Sequence, residues 1–158
     1  MALSERIVGA HYRYPDHYHV DREKIREYAR AIKAADPANL DNRAAAKLGH
    51  SGLVAPLTFI STFGYAAQRA FFADANIVIT DAKIVQVDQA LEFRRPIVED
   101  DKLYCDVYGE SLRQAHGTDI IVIKTIITNE AGDIVQQTHT TLAGRTGDGE
   151  EGFTDGTA

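Results

Sequence analysis

Groups able to move protons, attack a carbonyl or hold a metal are few in this chain. His11, His17 and His19 lie in a tyrosine-rich stretch near the start. Their close spacing could suggest a metal site, yet no cysteine lies nearby and no helical i, i+4 histidine pair is present. Surface or ring-stacking roles are the expectation. His50 follows Gly49 in a loop, His116 precedes Gly117 in a turn, and His139 falls in an alternating segment. A solvated or hydrogen-bonded ring is expected at each. Ser-His-Asp and Tyr-Asp combinations can be composed from the chain, but no spacing fixes their geometry. Cys105 is the single cysteine, which excludes an internal disulfide and a cysteine-based zinc cluster. Its place in an alternating apolar run predicts a buried, inert thiol. With no Gly-rich phosphate loop, a nucleotide cofactor has no support, and neither cofactor nor metal is expected.

The frame that must position any site is a single domain. The chain has 158 residues, 44% hydrophobic and 25% charged, the mix of an ordinary globular protein. At this length about 70% of the unfolded surface can be buried, so a core needs no disulfide or metal. The formal net charge is -6, and no basic patch points to nucleic acid or to an anionic membrane. Beyond Arg145 come Asp148, Glu150, Glu151 and Asp155 with no Lys or Arg, so the acidity is mostly a tail property. We expect a domain over 1–146 and a mobile acidic tail over 147–158, with Phe153 the one tail residue able to dock. The most apolar stretch, Pro56 to Ala75, is broken by Gln68, Arg69 and Asp74 and falls short of a membrane span. The N-terminus carries no apolar leader, and a cytoplasmic location is expected.

Along the chain, Ile25, Tyr28, Ala29 and Ile32 recur at helical spacing, which predicts a helix from an Asp21 N-cap to about Asp36-Pro37. A short helix over Asn42–Leu48 ends at Gly49. A third helix is expected to start near Pro56, apolar almost all round through Leu57, Phe59, Ile60, Phe63, Ala67, Ala70 and Phe71, and therefore buried. Strands follow: Lys83–Arg94 with Val85, Val87, Leu91 and Phe93 alternating, then Lys102–Leu112 with Leu103, Cys105 and Val107. Residues 118–128, rich in isoleucine, are expected to be buried on both faces. The turn signal Asn129–Asp133 leads into Ile134–Arg145. Helices first and strands after predict an α+β domain with an antiparallel sheet, most economically wrapped around the helix from Pro56.

At this point the chain resembles a known family. The segments Val8–Tyr18, Arg22–Ala29, Leu53–Phe59, Ile84–Gln89, Arg95–Tyr104 and Ala115–Thr118 together resemble the subunits of the mycobacterial-type (3R)-hydroxyacyl-ACP dehydratase, a branch of the MaoC-like hydratases. The resemblance runs from the N-terminus into the acidic tail. It implies the hot-dog fold, in which an antiparallel sheet wraps a long central helix. It also implies removal of water from a (3R)-3-hydroxyacyl thioester, giving the trans-2-enoyl thioester during type II fatty-acid elongation towards mycolic acids. The family's working unit is a heterodimer with a catalytic B-type hot-dog subunit, acting on acyl carrier protein-bound substrate.

The elimination needs a base for the C2 proton, an acid for the departing hydroxyl and donors for the thioester oxygen. Catalytic members carry G-D-x-N-P-x-H. Placed on this chain by the glycine that follows the short helix, Gly49, the motif puts Asn39 at its His and Ala34 at its Asp. Pro37 matches, and Asp36 stands for the motif Asn. Neither Ala34 nor Asn39 can exchange a proton, so no catalytic residue is expected here. Asp36 and Asp41 are the carboxylates that could substitute. The family's non-catalytic chain instead opens an acyl groove beside its core helix. That implies a lining of Pro56, Leu57, Thr58, Phe59, Ser61 and Tyr65, with Gln86, Asp88 and Gln89 from the adjoining strand. Ser61 and Tyr65, at i and i+4, share one helix face. Arg94 and Arg95 could meet an acidic carrier protein or be simply solvated. Two rivals remain open: a homodimeric hydratase or thioesterase using unconventional acids, and a non-enzymatic acyl-binding protein. Dimerisation is expected with or without that partner, a homodimer being possible in its absence, because an unpaired sheet edge is a liability.

Overall fold

The computed structural model describes residues 2–80, 83–145 and 152–156. In chain order the elements are α1 (Leu3–Ile7), β1 (His11–Arg13), β2 (Tyr18–His19), α2 (Arg22–Ala31), a 3₁₀ turn (Pro37–Asn39), α3 (Asn42–Lys47), α4 (Ser61–Asp74), β3 (Ile77–Ile79), β4 (Ile84–Phe93), β5 (Lys102–Ala115), β6 (Thr118–Thr128), β7 (Ile134–Arg145) and β8 (Phe153–Asp155). The main sheet is antiparallel with order β1-β5-β6-β7-β4, and β2 also pairs with β5. Its long strands follow from alternation. In β6 the inward row Asp119, Ile121, Ile123, Thr125 and Ile127 is buried while the row between is half-buried. The expectation of burial on both faces is corrected accordingly, since one face packs on the core and the other keeps partial contact with water. The β5–β6 hairpin closes through His116 and Gly117, whose φ values are 52° and 74°, as a two-residue turn of this handedness requires.

Helix α4 packs into the concave face. Phe63, Ala67, Phe71 and Phe72 are buried, along with Cys105, Val107, Ile121, Ile123 and Ile127 from the sheet, and all belong to one core. Burying each phenylalanine contributes about 2 kcal/mol. The helix is not buried all round: Tyr65, Ala66, Arg69 and Ala73 are exposed. Nor does it begin at Pro56. Residues 57–60 form turns, held by tertiary contacts that override helical propensity. Phe59 packs edge-on against Tyr18 and Tyr28, and the Tyr28 hydroxyl sits 2.7 Å from Thr58 Oγ1 and donates to the Thr58 carbonyl at 2.9 Å.

Asp21 caps α2, accepting from the amides of Glu23 and Lys24. That helix ends at Ala31 rather than near Pro37, because Lys33 turns into the left-handed region at φ 55°. The strand β4 lies at the sheet edge, so Val85 and Val87, expected inside, are 62% and 56% exposed. The stretch expected as a mobile tail includes a strand: β8 pairs with β3, Phe153 is fully buried beside Phe72, and Arg6 grips Asp155 at 2.6 Å. Residues 147–151, with Asp148, Glu150 and Glu151, and residues 157–158 lie outside the described residues.

Candidate functional site

Between α4 and the edge of the sheet lies a cavity of about 270 Å³. Ile60 at the entrance to α4 and Ser61, Gly64, Tyr65 and Gln68 on one helix face border it, and Gln86, Gln89 and Leu91 of β4 border it from across. Thr125, Gln136 and Thr138 form its floor on β6 and β7. Ser61 and Tyr65 thus share the face that their spacing predicts. On β4 strict alternation would separate Gln86 from Gln89. The register instead shifts between Gln86 and Asp88, placing Gln86 opposite Leu142 and Gln89 opposite Thr140. This bulge turns both glutamines to the inner face and sends Asp88 to the outer one. Asp88 is therefore not part of the lining, contrary to expectation.

Several of the polar groups around it are held by hydrogen bonds. Gln68 Nε2 and Gln89 Nε2 both donate to Thr140 Oγ1, at 3.2 and 3.4 Å. Gln136 Nε2 donates to Thr138 Oγ1 at 3.4 Å. Thr125 Oγ1, on a residue only 2% exposed, has no hydrogen-bond partner among the described residues.

A second hollow of about 360 Å³ adjoins the first, and Gln136 borders both. Pro56 and Leu57 border it, as do Asp36, His50, Arg94 and Arg95. Thr58 and Phe59 border neither cavity: Thr58 is engaged by Tyr28, and Phe59 is fully buried core. Sequence reasoning missed Gln68, Thr125, Gln136 and Thr138. Gln68 was visible only as a polar interruption of an apolar helix, and the others as a threonine-rich strand pair.

The motif positions are structural. Asn39 is 4% exposed and donates Nδ2 to the Val54 carbonyl at 2.7 Å, tying the 3₁₀ turn to the segment leading into the groove. Ala34 has no polar side-chain atom to offer. Asp36 Oδ1 accepts from the Ala38 amide at 2.9 Å, and Asp41 Oδ1 accepts from the Arg43 amide at 2.6 Å. Both carboxylates therefore act as caps. Asp36 nevertheless borders the same hollow as His50, a juxtaposition the sequence did not reveal.

The remaining candidates lie elsewhere. His11 Nε2 meets Asp106 at 2.7 Å and stacks on Tyr108, while Arg13 pairs with the other Asp106 oxygen. His17, His19 and His139 sit beside Asp16, Asp100 and Glu110. Among the described residues no group of His, Cys, Asp and Glu is placed to hold a metal. Burial pushes the Cys105 thiol up to about 12, far from the thiolate that nucleophilic chemistry needs. Arg94 pairs with Glu92 at 2.6 Å and Arg95 with Asp133 at 3.2 Å. No helix among the described residues is long and apolar enough to cross a membrane.

The sequence profile of the FAS1-like dehydratase domain region matches residues 6–138. The chain belongs to this dehydratase family. Among its relatives, the UPF0336 protein ML1910 of Mycobacterium leprae is 64% identical over 159 residues, covering 100% of both chains. The UPF0336 protein Rv0637 of Mycobacterium tuberculosis is 42% identical over 149 residues, 94% of this chain and 90% of that one. Among solved structures, a chain of the C-terminally truncated HadBC (3R-hydroxyacyl-ACP dehydratase) complex of M. tuberculosis superposes with a TM-score of 0.78. It is 41% identical, and the match covers 87% of this chain and 96% of that chain. An (R)-hydratase from A. caviae shares the fold at a TM-score of 0.69 and 16% identity, covering 85% and 94%. This dehydratase-family chain therefore has the MaoC-like hot-dog fold.

Proposed function

We infer that the chain is HadA, the A-type, non-catalytic subunit of a heterodimeric (3R)-hydroxyacyl-ACP dehydratase serving fatty-acid elongation towards mycolic acids. The observation that carries this reading is Asn39. By the motif placement counted from Gly49, a buried amide committed to the Val54 carbonyl stands where catalytic members carry their histidine, and Val54 borders the outer hollow. In the reaction a base takes the C2 proton, the C3 hydroxyl leaves as water after protonation, and the electron pair forms the C2–C3 double bond. The B-type partner supplies the Asp and His for these transfers. This chain supplies the groove through Ser61, Tyr65, Gln86 and Gln89, with Pro56 and Leu57 at its approach.

Two features support a partner. The edge strand β4 exposes Val85 and Val87, a surface suited to pairing with another sheet, and the HadBC relative is itself a complex. Arg94 and Arg95 beside the outer hollow suit an acidic carrier protein, which would displace Glu92 and Asp133 from them.

Asp36 and His50 in one hollow favour a second reading, a self-sufficient hydratase. One assay separates the two: hydration of trans-2-enoyl thioesters by the purified chain, by a co-purified B-type partner and by their complex. The heterodimer reading expects negligible turnover from this chain alone and full turnover from the complex. Turnover by the chain alone, abolished in Asp36→Asn, would establish the alternative. Binding of acyl thioesters with no turnover in either form would leave a non-enzymatic acyl-binding protein.

A further inference from the structure

The outer hollow has a use that needs no catalytic pair. Segments distant in the chain build it, and backbone hydrogen bonds fix them. The Val54 amide donates to the Ala38 carbonyl at 3.0 Å and the Ala55 amide to the Ile97 carbonyl at 2.8 Å. The amides of Arg94 and Arg95 converge on the Val135 carbonyl at 2.9 and 3.1 Å. A hollow held this way exists before a ligand arrives, which spares binding part of its ordering cost. Its volume of about 360 Å³ is that of a small-molecule site. Three kinds of group line it. Val54, Ile97 and the exposed Leu57 and Phe93 are apolar. His50 and Gln136 can both donate and accept hydrogen bonds. Arg94 and Arg95 bring two exposed guanidiniums. An alkyl chain would use the first kind alone, and an acidic peptide chiefly the third. A slender chain with secondary amides, an apolar branch and a terminal phosphate uses all three. The phosphopantetheine arm of an acyl carrier has that composition.

We propose that the outer hollow binds a phosphopantetheine arm on this chain itself, in addition to the arm that the B-type partner must hold for turnover. This inference rests on the carrier-protein reading above. The phosphate meets Arg94 and Arg95, which exchange their surface pairs with Glu92 and Asp133 for charge-assisted bonds to phosphate oxygens. The amides of the arm pair with Gln136, His50 and the Asp36 carboxylate, and its dimethyl branch lies on the apolar wall. With Asn39 and Ala34 at the motif positions, an arm held here is not turned over. The heterodimer therefore holds two arms and reacts at one.

The test titrates 4′-phosphopantetheine, and pantetheine lacking only the phosphate, into the chain by calorimetry. The native chain is expected to bind the phosphorylated arm about tenfold more tightly or better. In Arg94→Ala/Arg95→Ala the two ligands are expected to bind alike. Leu57→Ala, at an exposed position, is expected to weaken both about fivefold. Should the chain alone fold poorly, the complex with its B-type partner supplies the second measurement. There the expectation is two phosphopantetheine sites per heterodimer, one of them weakened about tenfold in Arg94→Ala/Arg95→Ala. No binding to the folded native chain at about 1 mM, equal native affinity for the two ligands, or one site per native heterodimer overturns the proposal. So does a carrier protein without its arm binding as tightly as the one that bears it, which would put a protein surface in the hollow instead. Any of these in a complex that still turns over enoyl thioesters leaves the heterodimer reading standing. A complex without turnover overturns that reading itself, so the two failures are distinct.

Discussion

Replacing Asn39 tests whether the motif position has become a structural strut. Asn39 is 4% exposed, and its side-chain amide donates to the Val54 carbonyl at 2.7 Å. Asn39→Ala removes that donor and leaves a half-buried carbonyl short of a partner, a loss of about 2 kcal/mol. For a chain of this length that lowers the melting temperature by about 6 °C. Asn39→Asp keeps the shape but sets an acceptor against an acceptor whenever the carboxylate is ionised. In the folded state the carboxyl can hold the bond only when protonated, so its pKa is raised above the unfolded value of about 3.9. The sign follows: the variant approaches the native stability below the unfolded value and loses ground as pH rises through the folded one. At pH 7 its deficit reaches about 3 kcal/mol, beyond that of alanine. Urea melts at pH 4 and pH 7, at equal protein concentration, read both numbers. A loss in Asn39→Ala within about 0.5 kcal/mol, the range of neutral surface changes, would refute the strut. So would Asn39→Asp tracking alanine at both pH values.

Three further outcomes follow from the core. Asp119 is 3% exposed, one of its oxygens has no partner among the described residues, and burial raises its pKa despite the Gln114 hydrogen bond. Asp119→Asn is therefore expected to melt higher than the native chain at pH 7. Its advantage should shrink as pH falls and the native carboxyl takes up its proton, and thermal melts across pH 4 to 8 measure this. Cys105, with its thiol pushed up to about 12, should resist a disulfide reagent at pH 8 in the folded chain and react fully in urea. At Gly109 an added Cβ would lie 1.9 Å from the Ile7 carbonyl oxygen, so Gly109→Ala should cost about 3 kcal/mol in a urea melt by detaching α1 from β5.

Legibility from the sequence tracks how much of each feature is local. The strands Thr118–Thr128 and Ile134–Arg145, and the Asn129–Asp133 turn between them, match the structure because alternation and turn chemistry suffice there. The Asp21 cap is legible for the same reason. The elements α1, β1 and β2 span two to five residues, too short for any period; β1 and β2 exist because they pair with β5, and α1 packs its Ile7 against Gly109 of β5. The helix start moved from Pro56 to Ser61 because Phe59 and Thr58 are claimed by tyrosines distant in sequence. Of the site, Ser61 and Tyr65 were readable from helical spacing. Gln86 and Gln89 could be nominated, but only the bulge, which leaves no mark in composition, puts both on the inner face. Gln68, Gln136 and Thr138 were not nominated, since a groove between a helix and a sheet belongs to no single segment. Phe153 was readable as the docking residue of the tail, but β8 was not, because its pairing with β3 joins segments more than seventy residues apart.

The most direct test of the central claim is the hydration rate of a trans-2-enoyl thioester, measured for this chain alone and after co-purification with the B-type subunit. The account predicts a rate indistinguishable from buffer for the chain alone and turnover in the complex that is lost when the partner's motif His is replaced. Turnover by the chain alone that disappears in Asp36→Asn or Asp41→Asn would contradict it.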